Sequence, residues 1–100
     1  MNAKIEEVHD YWDRQPCGLL HSPAPIGTAE YFNDLTQRRY RIQPHVLGFA
    51  DFPLWRGKRV LELGCGLGTD AEQFAREGAV YTGTDLSSVS VALARKRFAV

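Results

Sequence analysis

The sequence predicts an α/β chain built on a parallel sheet, and three observations predict it. "RVLEL", Arg59 to Leu63, is a short apolar run of strand length, and the glycines Gly64, Gly66 and Gly68 follow it and lead into a helical pattern. The same order then returns, with "AVYTGT" as a second strand and a helical run after Ser87. Strand, helix, strand, helix in sequence places the two strands side by side and parallel, joined by a right-handed crossover.

Residues 1–56 precede this unit and read as a helical, loop-rich cap. Ile5, Val8 and Trp12 recur at the spacing of one helix face, and that helix must stop near Pro16. "PCGLLHSPAPIG" carries three prolines and two glycines and is a loop. Thr28 is placed to cap a helix through "AEYFNDLTQRRYRI", on which Phe32, Leu35 and Ile42 share a face. Pro44 suits the first turn of a short helix holding Val46, Leu47 and Phe49.

Residues 57–100 carry the strand–helix units. Gly57 and Lys58 turn the chain into "RVLEL", whose apolar character is that of a buried parallel strand. Thr69 and Glu72 have the spacing of a capping box, and the helix they open stops at Gly78. Asp85 closes the second strand. Ser87 or Ser88 caps the last helix, with Val89, Ala92 and Leu93 on one face and Arg95 to Arg97 near its end, where cations suit the helix dipole.

Composition narrows the function classes. Twelve basic residues against twelve acidic ones give a net charge of zero, without the basic excess of a nucleic-acid binder. The 44% hydrophobic content is that of a globular chain, and no apolar run is long enough to span a bilayer. The N-terminus mixes charges and does not resemble a secretory signal. Cys17 and Cys65 stand too far apart for a metal pair or a disulfide framework, so a reduced, cytoplasmic setting is expected.

The glycine loop can be read chemically. Gly64, Gly66 and Gly68 form G-x-G-x-G, whereas the dinucleotide fingerprint requires G-x-G-x-x-G and residue 69 is threonine. A phosphate-binding P-loop ends in Gly-Lys-Ser/Thr, and no lysine lies between Lys58 and Lys96. Glu62 and Asp70 flank the loop and would repel a pyrophosphate, but they suit a ligand bearing an amino group or positive charge. Asp85 stands at the strand end where nucleotide folds place the acid that binds ribose hydroxyls. A nucleoside with a cationic or amino-bearing tail and no diphosphate satisfies all three carboxylates, and S-adenosylmethionine is such a molecule.

At these residues the chain resembles the class I S-adenosylmethionine-dependent methyltransferases, whose fold is Rossmann-like, a doubly wound parallel sheet. "VLELGCGLGTD" resembles the first motif of that family and "YTGTDLS" the second. The resemblance covers roughly residues 57–98. It implies that Glu62 helps to position the methionine amino group and that the loop of Gly64, Cys65, Gly66 and Gly68 lies against the cofactor. It further implies that Asp85 binds the ribose hydroxyls and that Leu86 packs on adenine. It implies a helical lid over the cofactor, in which Tyr11, Trp12, Tyr31, Arg39 and Tyr40 are candidate contacts; packing is the competing reading for each. By the same resemblance "RVLEL" is a central strand, so the cofactor domain is expected to continue beyond Val100, and residues 1–100 alone are expected to be inactive and to self-associate through an open sheet edge.

Other candidates carry less. Cys65 is read as a small residue that fits between glycines rather than as a nucleophile. His9, His21 and His45 lack metal-ligand spacing, so no metal is expected, and Arg38, Arg39 and Arg41 read as a solvated basic face. The expected activity is methyl transfer to an acceptor that the residues do not identify, a small molecule being favoured by the lid; no general base is identified. Two rival classes remain: a nicotinamide-dependent oxidoreductase, and a non-catalytic nucleoside-binding or assembly module.

Overall fold

The computed structural model describes residues 3–100. In chain order it contains α1 (Ala3–Arg14), α2 (Ala29–Ile42), α3 (His45–Ala50), a 3-10 turn (Phe52–Trp55), β1 (Arg59–Leu63), α4 (Thr69–Arg76), β2 (Val80–Thr84) and α5 (Ser88–Ala99). β1 and β2 pair in parallel, with Arg59 opposite Val80 and Glu62 opposite Gly83. The strand–helix–strand–helix order is therefore present as a two-stranded parallel sheet with its crossover helix.

Local chemistry accounts for most element ends. Thr28 accepts the Tyr31 backbone N–H at the start of α2, and Ser87 accepts that of Ser90 at the start of α5. Each hydroxyl satisfies a donor that a helix start leaves without an intrahelical partner. α4 ends in a Schellman motif: Gly78 takes φ +91° and donates to the Ala75 carbonyl, while Ala79 donates to that of Phe74.

Four expectations are corrected. The capping box does not form, because α4 is entered from Gly68 at φ +82° and the Glu72 carboxylate turns to Arg76 and Arg97. On α5 the buried residues are Ser90, Ala94 and Arg97, while Val89 and Ala92 are exposed. The small residues at 90 and 94 let the glycine loop come close, which larger apolar residues would prevent. On α2 Phe32 and Leu35 are buried but Ile42 is exposed, and on α1 Ile5, Val8 and Trp12 are at least 40% exposed. Phe52–Trp55, unassigned in the sequence, is a 3-10 turn entered through Asp51 at φ +48°.

One cluster joins the cap to the strand–helix unit: Tyr31, Phe32 and Leu35 of α2 pack with Leu67 of the glycine loop. Arg97 locks it. Its side chain is fully buried and donates to the carbonyls of Leu67 and Phe32, to Thr36 and Thr69, and to Glu72 at 3.1 Å. Its guanidinium also lies over the Phe32 ring at 4.7 Å. Burial lowers its pKa, and the Glu72 carboxylate opposes that shift. A buried cation with every donor group engaged ties three elements at one point.

Candidate active site

A cavity of about 820 Å³ opens at the carboxyl ends of β1 and β2, between the glycine loop and the cap helices. The loop makes its floor. Gly64, Gly66 and Gly68 have φ of +76°, +56° and +82°, a left-handed region that side-chain-bearing residues rarely adopt. A Cβ on Gly64 or Gly66 would meet no atom within 4 Å, so both present bare backbone to open space. Gly68 differs. It is buried, does not line the cavity, and a Cβ there would sit 3.1 Å from Cβ of Ala94. Its absent side chain makes room for the approach of α5, and the structure does not bring Gly68 to the cavity with the other two.

Asp85 fixes the loop from the other strand. One carboxylate oxygen accepts the Gly66 N–H at 2.8 Å and the other accepts the Ser87 N–H at 2.8 Å. Each oxygen keeps lone-pair capacity for a further donor. Leu86 and Cys65 also line the cavity. Burial, with Asp85 and Glu62 nearby, pushes the Cys65 thiol pKa up, so the sulfur stays a protonated thiol and a poor nucleophile.

Glu62 points into the same cavity and accepts a hydrogen bond from the Tyr81 hydroxyl. Burial raises its pKa; Asp70 and Asp85 add to the rise, while Tyr81 and Arg39 oppose it. Asp70 is differently placed. It accepts from Nε and Nη2 of Arg39 at 2.8 and 2.7 Å and from the Tyr40 hydroxyl at 2.7 Å. Arg39 thus leaves the basic face expected of it and clamps the start of α4, a bidentate pair that neutralises Asp70. The carboxylates facing the cavity with charge to spare are Glu62 and Asp85.

Of the five candidate lid contacts, Trp12 and Arg39 line the cavity. The other three do not. Tyr31 is completely buried in the core cluster and its hydroxyl donates to the Leu19 carbonyl. Tyr40 packs edge-on against Phe52 and serves Asp70. Tyr11 is 48% exposed and meets Trp12 edge-on at 5.0 Å. The sequence did not single out Arg38, His21 or Cys17 as site residues, yet these three line the cap side of the cavity. Nothing in their spacing marks them, since the proline-rich loop brings Cys17 and His21 there and α2 brings Arg38. Among the described residues no cluster of metal-ligating side chains occurs, and no helix is long and apolar enough to cross a membrane.

Comparison with known proteins decides the family. Residues 60–100, which hold β1 from Val60 onward, the glycine loop, Asp85 and α5, match the family described as "Methyltransferase domain". The chain belongs to the class I S-adenosylmethionine-dependent methyltransferases. It is 36% identical over 97 residues to a ubiquinone biosynthesis O-methyltransferase of Methylocella silvestris, covering 94% of this chain and 37% of the relative. It is 50% identical over 40 residues to a protein of the same name from Pasteurella multocida, covering 40% of this chain and 16% of that one. A third, from Paracidovorax citrulli, is 45% identical over 58 residues, 56% of this chain and 24% of the relative. The chain thus spans little more than a third of even the first of these relatives. No solved structure matches it significantly.

Proposed function

We propose that this chain forms the cofactor-binding part of an enzyme that transfers a methyl group from S-adenosylmethionine to a hydroxyl oxygen of a small molecule. The observation that carries the reading is the convergence of Glu62 and Asp85, two carboxylates with no ion-pair partner among the described residues, on bare glycine backbone in one cavity. The residues fit the cofactor. Glu62 receives its ammonium group, Asp85 accepts from its ribose hydroxyls, Leu86 packs on its adenine, and the backbone at Gly64–Gly66 leaves room beside it. When bound, the cofactor supplies a methyl group already activated on a sulfonium, so the protein mainly orients the partners and excludes water. Val8 and Trp12 of α1 line the cap side of the cavity. The names of the relatives, O-methyltransferases of ubiquinone biosynthesis, support a small hydroxyl-bearing acceptor.

Calorimetry on the intact protein tests this by titrating S-adenosylhomocysteine and NAD in parallel, with methyl transfer from labelled cofactor to a panel of small phenols and alcohols. The expected result is binding of S-adenosylhomocysteine, no binding of NAD, and label in a hydroxyl acceptor. Binding of NAD alone would transfer the site to the oxidoreductases. Binding of S-adenosylhomocysteine with no acceptor labelled by any route would leave a nucleoside-binding module.

A further inference from the structure

We propose that Tyr81 is a positioning residue that holds the Glu62 carboxylate in the orientation and charge state that receive the cofactor's ammonium group. This rests on the role given to Glu62 above. It begins in the sheet. Glu62 on β1 lies opposite Gly83 on β2, and Tyr81, two residues before Gly83, shares its face of the strand. The Tyr81 ring folds along β2 over Gly83 to reach the carboxylate across the pair. A Cβ on Gly83 would lie 2.5 Å from the Tyr81 hydroxyl, 2.9 Å from Cε1 and 3.0 Å from Cζ.

Gly83 is not among the glycines with positive φ, so its backbone does not require glycine. What the missing side chain supplies is room for this ring. The ring also stacks on Phe74 of α4, at 6.0 Å and 20° between planes, and Phe74 meets Phe52 edge-on at 4.7 Å. Sheet register, an empty glycine position and an aromatic backing therefore place one hydroxyl on Glu62.

The choice of donor matters. Among the described residues the Tyr81 hydroxyl is the hydrogen-bond donor to this carboxylate. Arg39, the nearby cation, is turned to Asp70. An arginine on Glu62 would cancel its charge, as Arg39 does for Asp70. A neutral phenol fixes the carboxylate and favours its ionised form without supplying an opposing charge, leaving the charge available to a cationic ligand. The charged and titratable groups facing Glu62 are Asp70 on α4, Arg39 on α2, Asp85 after β2, Cys65 in the loop and Tyr81 itself. Of these Tyr81 alone can be changed to phenylalanine with its ring packing kept.

The test measures S-adenosylhomocysteine affinity of the intact protein from about pH 5 to about pH 8, with KM and kcat, in wild type, Tyr81→Phe, Gly83→Ala and Glu62→Gln. Glu62→Gln should bind weakly throughout. Tyr81→Phe should lose affinity at higher pH than wild type on acidification, roughly threefold or more weaker at about pH 5 and within about twofold at about pH 8. KM for the cofactor should rise with kcat within about twofold, and Gly83→Ala, which displaces the hydroxyl, should reproduce the profile. If Glu62→Gln weakens binding but the Tyr81→Phe profile superimposes on wild type, or drops equally at every pH, Tyr81 is a packing residue and the site reading stands. If Glu62→Gln binds as wild type does, the placement of the ammonium group fails and the role of Tyr81 fails with it.

Discussion

Asp85 has two tasks on one carboxylate. It pins the glycine loop through the Gly66 N–H and shapes the start of the next helix through the Ser87 N–H, and it lines the cavity. Asp85→Ala is expected to weaken S-adenosylhomocysteine binding by about ten- to a hundredfold, the loss of charge-assisted hydrogen bonds worth roughly 1.5–3 kcal/mol. Calorimetry on the intact, folded variant reads this, and unchanged affinity would remove Asp85 from the site. The loop residues behave oppositely to one another. Gly66 sits at φ +56° beside open space, so Gly66→Val both strains the backbone and projects methyls into the cavity. Cys65→Ala keeps a small side chain and should bind nearly as wild type does. A strong loss in Cys65→Ala would return a chemical role to the thiol.

Between elements, Asp13 ties the end of α1 to the start of α5. From near the end of α1 its carboxylate accepts from the hydroxyls of Ser87 and Ser88, at 2.8 and 3.0 Å, and from the Val89 N–H at 3.2 Å. It thereby caps the start of α5 from a helix more than seventy residues earlier in sequence. The Ser87 hydroxyl, the Val89 N–H, Ser88 and His9 hold its pKa below the ordinary carboxylate value, against some opposition from burial. A depressed carboxylate pKa gives stability that is fully present above the unfolded value and is lost as pH falls through the folded one. The latch therefore holds throughout the neutral range and opens only in acid below the usual carboxylate midpoint. Asp13→Ala should speed amide exchange in α1 and the first turn of α5 at neutral pH, leaving β1 and β2 protected; uniform protection in the variant would show that the latch carries no load. The caps at Thr28 and Ser87, the stop at Gly78 and both strands were legible because each depends on neighbours in sequence. Asp13, Arg39–Asp70 and Arg97 were not, because their partners arrive from elements 25 to 76 positions away, and two of those of Arg97 are backbone carbonyls, which any residue could supply. Glu72 shows the same limit from the other side: a local capping pattern was overridden when Arg97 claimed the carboxylate.

Across the whole molecule the sheet is left partly open, although the sequence pattern predicts a buried strand for β1. β1 pairs with β2 along one edge, and Leu61 and Leu63 are 64% and 79% exposed. Unpaired strand edges with apolar side chains associate with one another. Residues 1–100 expressed alone should sediment as concentration-dependent oligomers, and Leu63→Lys should shift them toward monomer. A wild-type segment that stays monomeric at high concentration would show that this edge is already protected.

Arg97 also imposes an order in time. Its donors close contacts to Leu67 and Phe32, 30 and 65 positions earlier in the chain. Contacts of such long separation must first overcome loop-closure entropy, and during synthesis a domain can complete them only when its later residues have emerged. Until residue 97 is free of the ribosome, α2 and the glycine loop lack the buried hydrogen bonds that Arg97 makes to both, and only the Leu67 cluster and the Arg39–Asp70 pair join them. α5 is therefore what turns a nascent cap and a nascent loop into one fixed cavity, so the lining described here is completed in a single step, once residue 97 has emerged.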